Sequence, residues 1–510
     1  MTNENSGLRL DRRTLIKGAI ASAATLSSAA AFASAPRGKL KEIRRAVDAG
    51  HEQALRRIQD WIRLPTVAAE QLNIEQGADY MMQLATEAGF KRVRRVATGG
   101  IPAVFGVLDV GAKHTVGLYF MYDVKQFDEP DWMSPPLEPV FFDHALGRAL
   151  RARGAINHKG PEGTFLAAIH AFRSAGVELP VNLALLAEGE EEIGSPNLRN
   201  ALNDAEVLAE LQRTDAVFMP TAMQGQQGEM GISLGAKGVI ECELIASGER
   251  WGRGPVQDIH SGMKASVDSP VWRLVEALST LVKDGGNTPA IDGWYEHYRP
   301  LTDRQRAMIA KLNTSTTDAE LKSALGLKRW MNDMPLQEAM ERLASEPTVN
   351  IEGLVAGYTG PGGKTILPGR ATAKLDFRIV PDMTAADCEA KLRAHLQKRG
   401  FGDIEIKVSG GYDPTETSET SGLVRAEQAF LEQRNIPHTI TPRIAGSYPG
   451  YIYTGAPLRK PFNQFGLGYG GKAHAPDEFY LIDSNHPKIA GMREATMGYV
   501  EFLYALASAH

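Results

Sequence analysis

Hydrophobic and polar positions follow two distinct patterns along the chain. At 39–62 and 74–88, apolar side chains recur at three- and four-residue spacing, which predicts two amphipathic helices. Short apolar runs follow at 103–108, 116–120, 181–186 and 215–219, with a helical pattern at 164–174 between the second and third. Runs this short with little polar alternation predict strands buried on both faces. Their alternation with helices predicts a largely parallel sheet covered by helices.

Near Gly238 the pattern changes. Val239, Glu241, Glu243 and Ile245 alternate with Ile240, Cys242, Leu244 and Ala246, as in a strand with one exposed face. A helix at 271–282, strands at 350–356 and 372–380, a helix at 385–398 and a strand at 404–408 then predict an α+β sandwich. Within it, 292–346 reads as a polar, helix-rich insertion. Helix–strand alternation resumes near Thr415 and ends in a helix at 487–507. The predicted fold class is α/β: a mostly parallel sheet domain (37–236 and 412–510) interrupted by a smaller α+β domain (237–411).

The 510 residues, 43% of them hydrophobic, suffice for two cores. A formal charge of −5 with dispersed basic residues gives no reason to expect a nucleic-acid partner. The short cluster Lys91 to Arg95 reads as solvated surface. Residues 1–33 resemble a twin-arginine export signal: Arg12-Arg13 precede an Ala- and Ser-rich run, and Ala31-Phe32-Ala33 supplies a cleavage pattern. A periplasmic location is expected, with no membrane association once the signal is removed. Two cysteines, Cys242 and Cys388, are too few for a disulfide framework and are expected as packed thiols.

The candidate chemistry starts at Glu188-Gly189-Glu190-Glu191-Glu192, where four carboxylates follow a buried strand. Gathering them costs repulsion and desolvation unless a metal, a cation or a proton offsets it. The carboxyl end of a strand is also where open α/β sheets place ligands.

Other motifs share an order with that segment: Tyr122-Asp123-Val124; Arg153-Gly154-Ala155 with Lys159-Gly160; Asp258-Ile259-His260-Ser261-Gly262; Gly363-Lys364-Thr365; Phe377-Arg378-Ile379; Gly446-Ser447-Tyr448-Pro449; and Ala473-His474-Ala475-Pro476-Asp477-Glu478. Together they resemble the zinc-dependent exopeptidases and amidohydrolases that include carnosinase, acetylornithine deacetylase, succinyl-diaminopimelate desuccinylase and glutamate carboxypeptidase. The resemblance covers nearly all of the chain after the signal.

It implies a phosphorylase/hydrolase-like catalytic domain with two metal ions, and a lid domain that commonly dimerises. By position it makes Glu191 the general base, with Asp123 supporting it and His260 reaching a neighbouring subunit's site. Glu192 and His474 match metal ligands. Arg378 matches the arginine for a substrate carboxylate, with Thr365, Gly446, Ser447 and Lys159 as further substrate contacts. His158, which stands where the family has an acidic residue and has no counterpart there, is a further candidate contact.

Three ligand positions depart from the pattern. Met121 stands where the family has histidine, Asn157 where it has the bridging aspartate, and Thr221 where it has another aspartate. A neutral amide cannot balance two adjacent dications, and a thioether suits softer metals than zinc. The expectation is at most one divalent ion, zinc in kind, with Asn157 as a further possible ligand, or none.

The implied activity is hydrolysis of an amide-type C–N bond in a small carboxylated substrate, a dipeptide or N-acyl amino acid. A metal-free binding protein without turnover, and a lyase or isomerase using the same pocket, remain open alternatives.

Overall fold

A computed structural model describes residues 37–312 and 317–509. The expected export signal lies outside the described residues. Ten strands carry the two main sheets: β1 (Lys91–Val96), β2 (Ala103–Leu108), β3 (Thr115–Met121), β4 (Asn182–Glu188), β5 (Ala216–Pro220), β6 (Gly238–Ser247), β7 (Thr348–Ala356), β8 (Arg370–Ile379), β9 (Glu405–Tyr412) and β10 (Phe462–Phe465).

The larger sheet has the order β1-β2-β4-β3-β5-β10. β4, β3, β5 and β10 run parallel, while β1 and β2 pair antiparallel at one edge. Every residue of β2, β3 and β4 is buried, which is why these strands read as unbroken apolar runs. Val116, Leu118 and Phe120 pack on one face, against helices that include Lys159–Ser174 and Met492–Ser508. Tyr119, Met121 and Leu186 face the other core, with Val207 and Leu211 of the helix Ala205–Arg213.

The second sheet, β7-β8-β6-β9, is antiparallel throughout. Ile240, Cys242 and Leu244 of β6 join Ala373, Leu375 and Phe377 of β8 in a separate core, closed by helices Pro270–Ser279 and Ala385–Lys398. On the face expected to be exposed only Glu241 is open and Glu243 partly so, while Val239 and Ile245 are buried. Cys242 and Cys388 are buried free thiols in this core. The connections between the sheets lie side by side, because Gly235–Ala236 pairs antiparallel with Thr415–Glu416.

Some expectations need correction. Residues 91–95 are not plain surface but an edge strand. Arg92, Arg94 and Arg95 there pair with Glu206, Glu210, Asp204, Glu75 and Asp79. The last helix starts at Met492, since Gly491 is extended and caps it. A further antiparallel sheet joins Val140–His144 and Gly147–Arg151 to Gly470–Gly471 and Phe479–Ser484. Its halves are too far apart in sequence for local periodicity to link them.

Candidate active site

β3, β4 and β5 end at Met121, Glu188 and Pro220, and the segments after them form the crevice at the carboxyl edge of the sheet. Asp123 follows β3 and is completely buried. Its carboxylate accepts the backbone N–H groups of Glu191 (3.3 Å) and Glu192 (3.0 Å), which caps the turn Glu191–Ile193. Asp123 therefore positions the Glu191–Glu192 pair through its backbone.

The four carboxylates divide by task. Glu188 accepts from Tyr119 Oη (2.6 Å) and Ser195 Oγ (2.7 Å), and burial pushes its pKa up to about 8. Glu190 accepts from the Ile101 N–H and from Asn197 Nδ2, both at 3.0 Å. Both are structural. Glu192 instead meets the chemistry-bearing side chains of two other segments.

Asn157 Nδ2 donates to Glu192 Oε1 at 2.6 Å and lies 2.8 Å from His474 Nε2. His474 Nε2 is 3.2 Å from Glu192 Oε2. Lys125 donates to the Glu192 carbonyl, and its ammonium lies 3.5 Å from the carboxylate. Burial, followed by the Glu192 charge, pushes the pKa of Glu191 up to about 7, against the pull of His474 and Lys125. His158 Nδ1 sits 3.1 Å from Met121 Sδ, and burial lowers its pKa to about 4.

The Asn157 segment is held from behind. Glu478 Oε1 accepts the N–H groups of Ile156 and Asn157 at 2.9 Å each. Glu478 Oε2 pairs with buried Arg153 at 3.0 Å, and Arg153 also reaches Glu129 at 3.1 Å. Glu129 thus joins the ion pair that anchors the Asn157 segment. His474 itself has a φ of 62°, a left-handed conformation that a non-glycine residue adopts at some cost.

Arg378 projects from β8 and bridges the two sheets' territories. Its Nε donates to Asp376 (2.8 Å), and a terminal nitrogen donates to Ser447 Oγ (3.1 Å), beside Gly446. His260 and Thr365 also come together: the Ser261 N–H donates to the Thr365 carbonyl at 3.0 Å, and His260 pairs with Ile366. His260 is exposed, and among the described residues neither it nor Thr365 makes a hydrogen bond or ion pair to the Glu192–His474 cluster.

Two expected site residues have other surroundings. Lys159 is buried, and its ammonium donates to the carbonyls of Trp61 (3.0 Å) and Leu64 (2.8 Å), so it leaves the set of substrate contacts. The Thr221 hydroxyl is buried without a hydrogen-bond partner among the described residues. Lys125, Glu478 and Glu162, which accepts the Met121 N–H at 2.9 Å, were not picked out from the sequence. Only Glu478 had a signal there, in the intact segment after His474.

A mostly parallel sheet with a carboxylate–histidine crevice and an inserted antiparallel sheet is the arrangement of a hydrolase of the peptidase class. The profile of peptidase family M20/M25/M40 matches residues 118–497, and the chain belongs to that family. An M20 family metallo-carboxypeptidase from Sulfolobus solfataricus shares 32% identity and superposes with a TM-score of 0.78, covering 89% of this chain and 99% of that one. A Cys-Gly metallodipeptidase of Saccharomyces cerevisiae is 26% identical over 378 residues, 71% of this chain and 76% of its own. The Beta-Ala-His dipeptidase of Mus musculus is 25% identical over 461 residues, 84% and 88% of the two chains. Membership makes the protein an enzyme of the peptidase class.

Proposed function

We propose that the protein is a periplasmic dipeptidase-like hydrolase that cleaves the amide bond of a small carboxylated substrate, with Glu191 as general base and a reduced metal site. The observation that carries this reading is the Asp123-capped turn, which holds Glu191 next to the Glu192–His474 pair.

Glu192 and His474 offer a carboxylate oxygen and an imidazole nitrogen 3.2 Å apart. That is close to the edge of a tetrahedron built on zinc bond lengths, about 3.3 Å. These two donors make a partial site: among the described residues no group of three or more His, Cys, Asp or Glu gathers there, so an ion would be weakly held. A second ion does not fit, because the bridging position carries the neutral Asn157 amide, Met121 faces His158, and Thr221 supplies a neutral hydroxyl where an acid would be needed. An ion bound there would supply Lewis-acid polarisation of the scissile carbonyl.

The chain's own residues do the rest. Glu191 accepts a proton from the attacking water and delivers it to the leaving amine, a task suited to a carboxyl raised towards neutrality. Arg378, with Ser447 beside it, offers its remaining N–H donors to the substrate carboxylate. The exposed His260–Thr365 ribbon fits a role completed by a second subunit, and dimerisation through the lid belongs to this proposal. The relatives named as dipeptidases support a dipeptide substrate.

The test is elemental analysis of the purified protein, with dipeptide hydrolysis assayed before and after chelation and in Glu191→Gln. Expected are no more than one bound ion per chain, loss of turnover on chelation, and a kcat reduced at least ~10²-fold in the variant. Two tightly held ions per chain would refute the reduced site, and undiminished turnover in Glu191→Gln would refute the base. If wild type binds dipeptides without hydrolysing them, the protein is instead a binder on the same scaffold.

A further inference from the structure

A cavity of about 480 Å³ lies in the seam between the helical insertion and the edge strand β7. Trp330, Met331, Met334, Met340 and Leu343 give it an apolar wall. Methionine-rich walls adapt to ligands of varied shape. The other end is cationic, with Lys237 and Arg342 both lining the space.

Lys237 is the informative residue. It is only 3% exposed, yet among the described residues its ammonium makes one hydrogen bond, to the Glu346 carbonyl at 2.6 Å. An ammonium has three donors, so two are left beside the cavity, and leaving buried donors unmade is costly. Arg342 is scarcely better served, with a single long contact of 3.5 Å to the Asn287 carbonyl. The one acid in the lining, Glu346, already accepts from Tyr298 Oη at 3.0 Å.

We propose that this cavity is a second binding site, for an anionic amphiphile: a carboxylate held by Lys237 and Arg342, with an apolar chain or ring against the Trp330–Met340 wall. The site does not depend on the peptidase reading. The ligand is a free carboxylated amphiphile, and occupation by the apolar side chain of a bound peptide substrate is the outcome that the titration separates from it. Thr348 at the rim is the register partner of Arg378 on β8, so that outcome is within structural reach.

Calorimetric titration of the full-length mature protein with decanoate and with decanamide tests the proposal. Expected are one decanoate per chain, at least tenfold weaker binding of decanamide, and at least tenfold weaker decanoate binding in Lys237→Met. Leu343→Glu places a carboxylate on a half-exposed rim position, where folding should tolerate it, and should weaken decanoate equally. Equal affinity for acid and amide, or unchanged decanoate affinity in both variants, would overturn the site. Displacement of decanoate by a dipeptide, together with its loss in Arg378→Ala, would overturn a separate site and assign the cavity to the substrate cleft. Retention of decanoate in both cases supports a free ligand.

Discussion

Lys159 donates to two carbonyls at and just beyond the end of the helix Arg37–Ile62, and its ammonium lies 5.8 Å from the Trp61 ring centre. Carbonyls at a helix end have no partner within the helix, and here a buried lysine supplies one. Lys159→Met should therefore cost on the order of 2–4 kcal/mol in urea unfolding and leave KM unchanged in the folded fraction. A raised KM with unaltered stability would return Lys159 to the substrate. At this scale the sequence identified residue types correctly but not their directions. Lys159 and His158 are neighbours in the chain, yet one points to a helix end and the other to Met121. Which way a long side chain turns depends on what packs around it, and no motif records that.

Between elements, the helix Gly422–Gln433 meets β10 through a buried acid. Glu427 is fully buried, accepts from Asn463 Nδ2 at 2.9 Å, and has its other oxygen unpartnered among the described residues. Burial pushes its pKa well above the usual carboxylate range. The unfolded chain loses this proton near pH ~4.3, while the folded chain keeps it to higher pH. Above that pH the native state binds more protons than the unfolded state, so stability falls as pH rises towards the folded pKa. Glu427→Gln keeps an acceptor for Asn463 and removes the titration. Its stability relative to wild type should improve more at pH 8 than at pH 4. Melting curves at both pH values check this, and a pH-independent difference would show that Glu427 is not the group responsible. Elements with clear periodicity were legible in advance, the helices Ile74–Ala88 and Ala385–Lys398 to the residue. The edge strand β1 was not, because a charge-rich exposed strand looks like solvated surface.

At the scale of the whole molecule, β7 is an unpaired sheet edge among the described residues. Along β7, Ile351, Leu354 and Val355 are 49%, 53% and 58% exposed, and Trp272 on the helix Pro270–Ser279 is 61% exposed. An apolar edge strand left open invites pairing, and natural proteins usually cover or charge one. If the lid dimerises here, Ile351→Lys with Leu354→Lys should convert a dimer to a monomer in sedimentation, with the fold retained by circular dichroism. Wild type sedimenting as a monomer at tens of micromolar would rule out this face.

The amino-acid sequence by itself determined the class of fold, the order of its strongly periodic elements and the segments that bear chemistry. Those depend on burial periodicity and on short motifs, both of which are local. The tertiary structure alone decided which motif residues meet. It put Asn157 and His474 on Glu192, set Arg378 against Ser447, gave Glu478 the task of holding the Asn157 backbone, and drew two distant hairpin segments into one sheet. These contacts join residues far apart in the chain, and they are fixed by how the sheets and helices pack, which no local pattern contains.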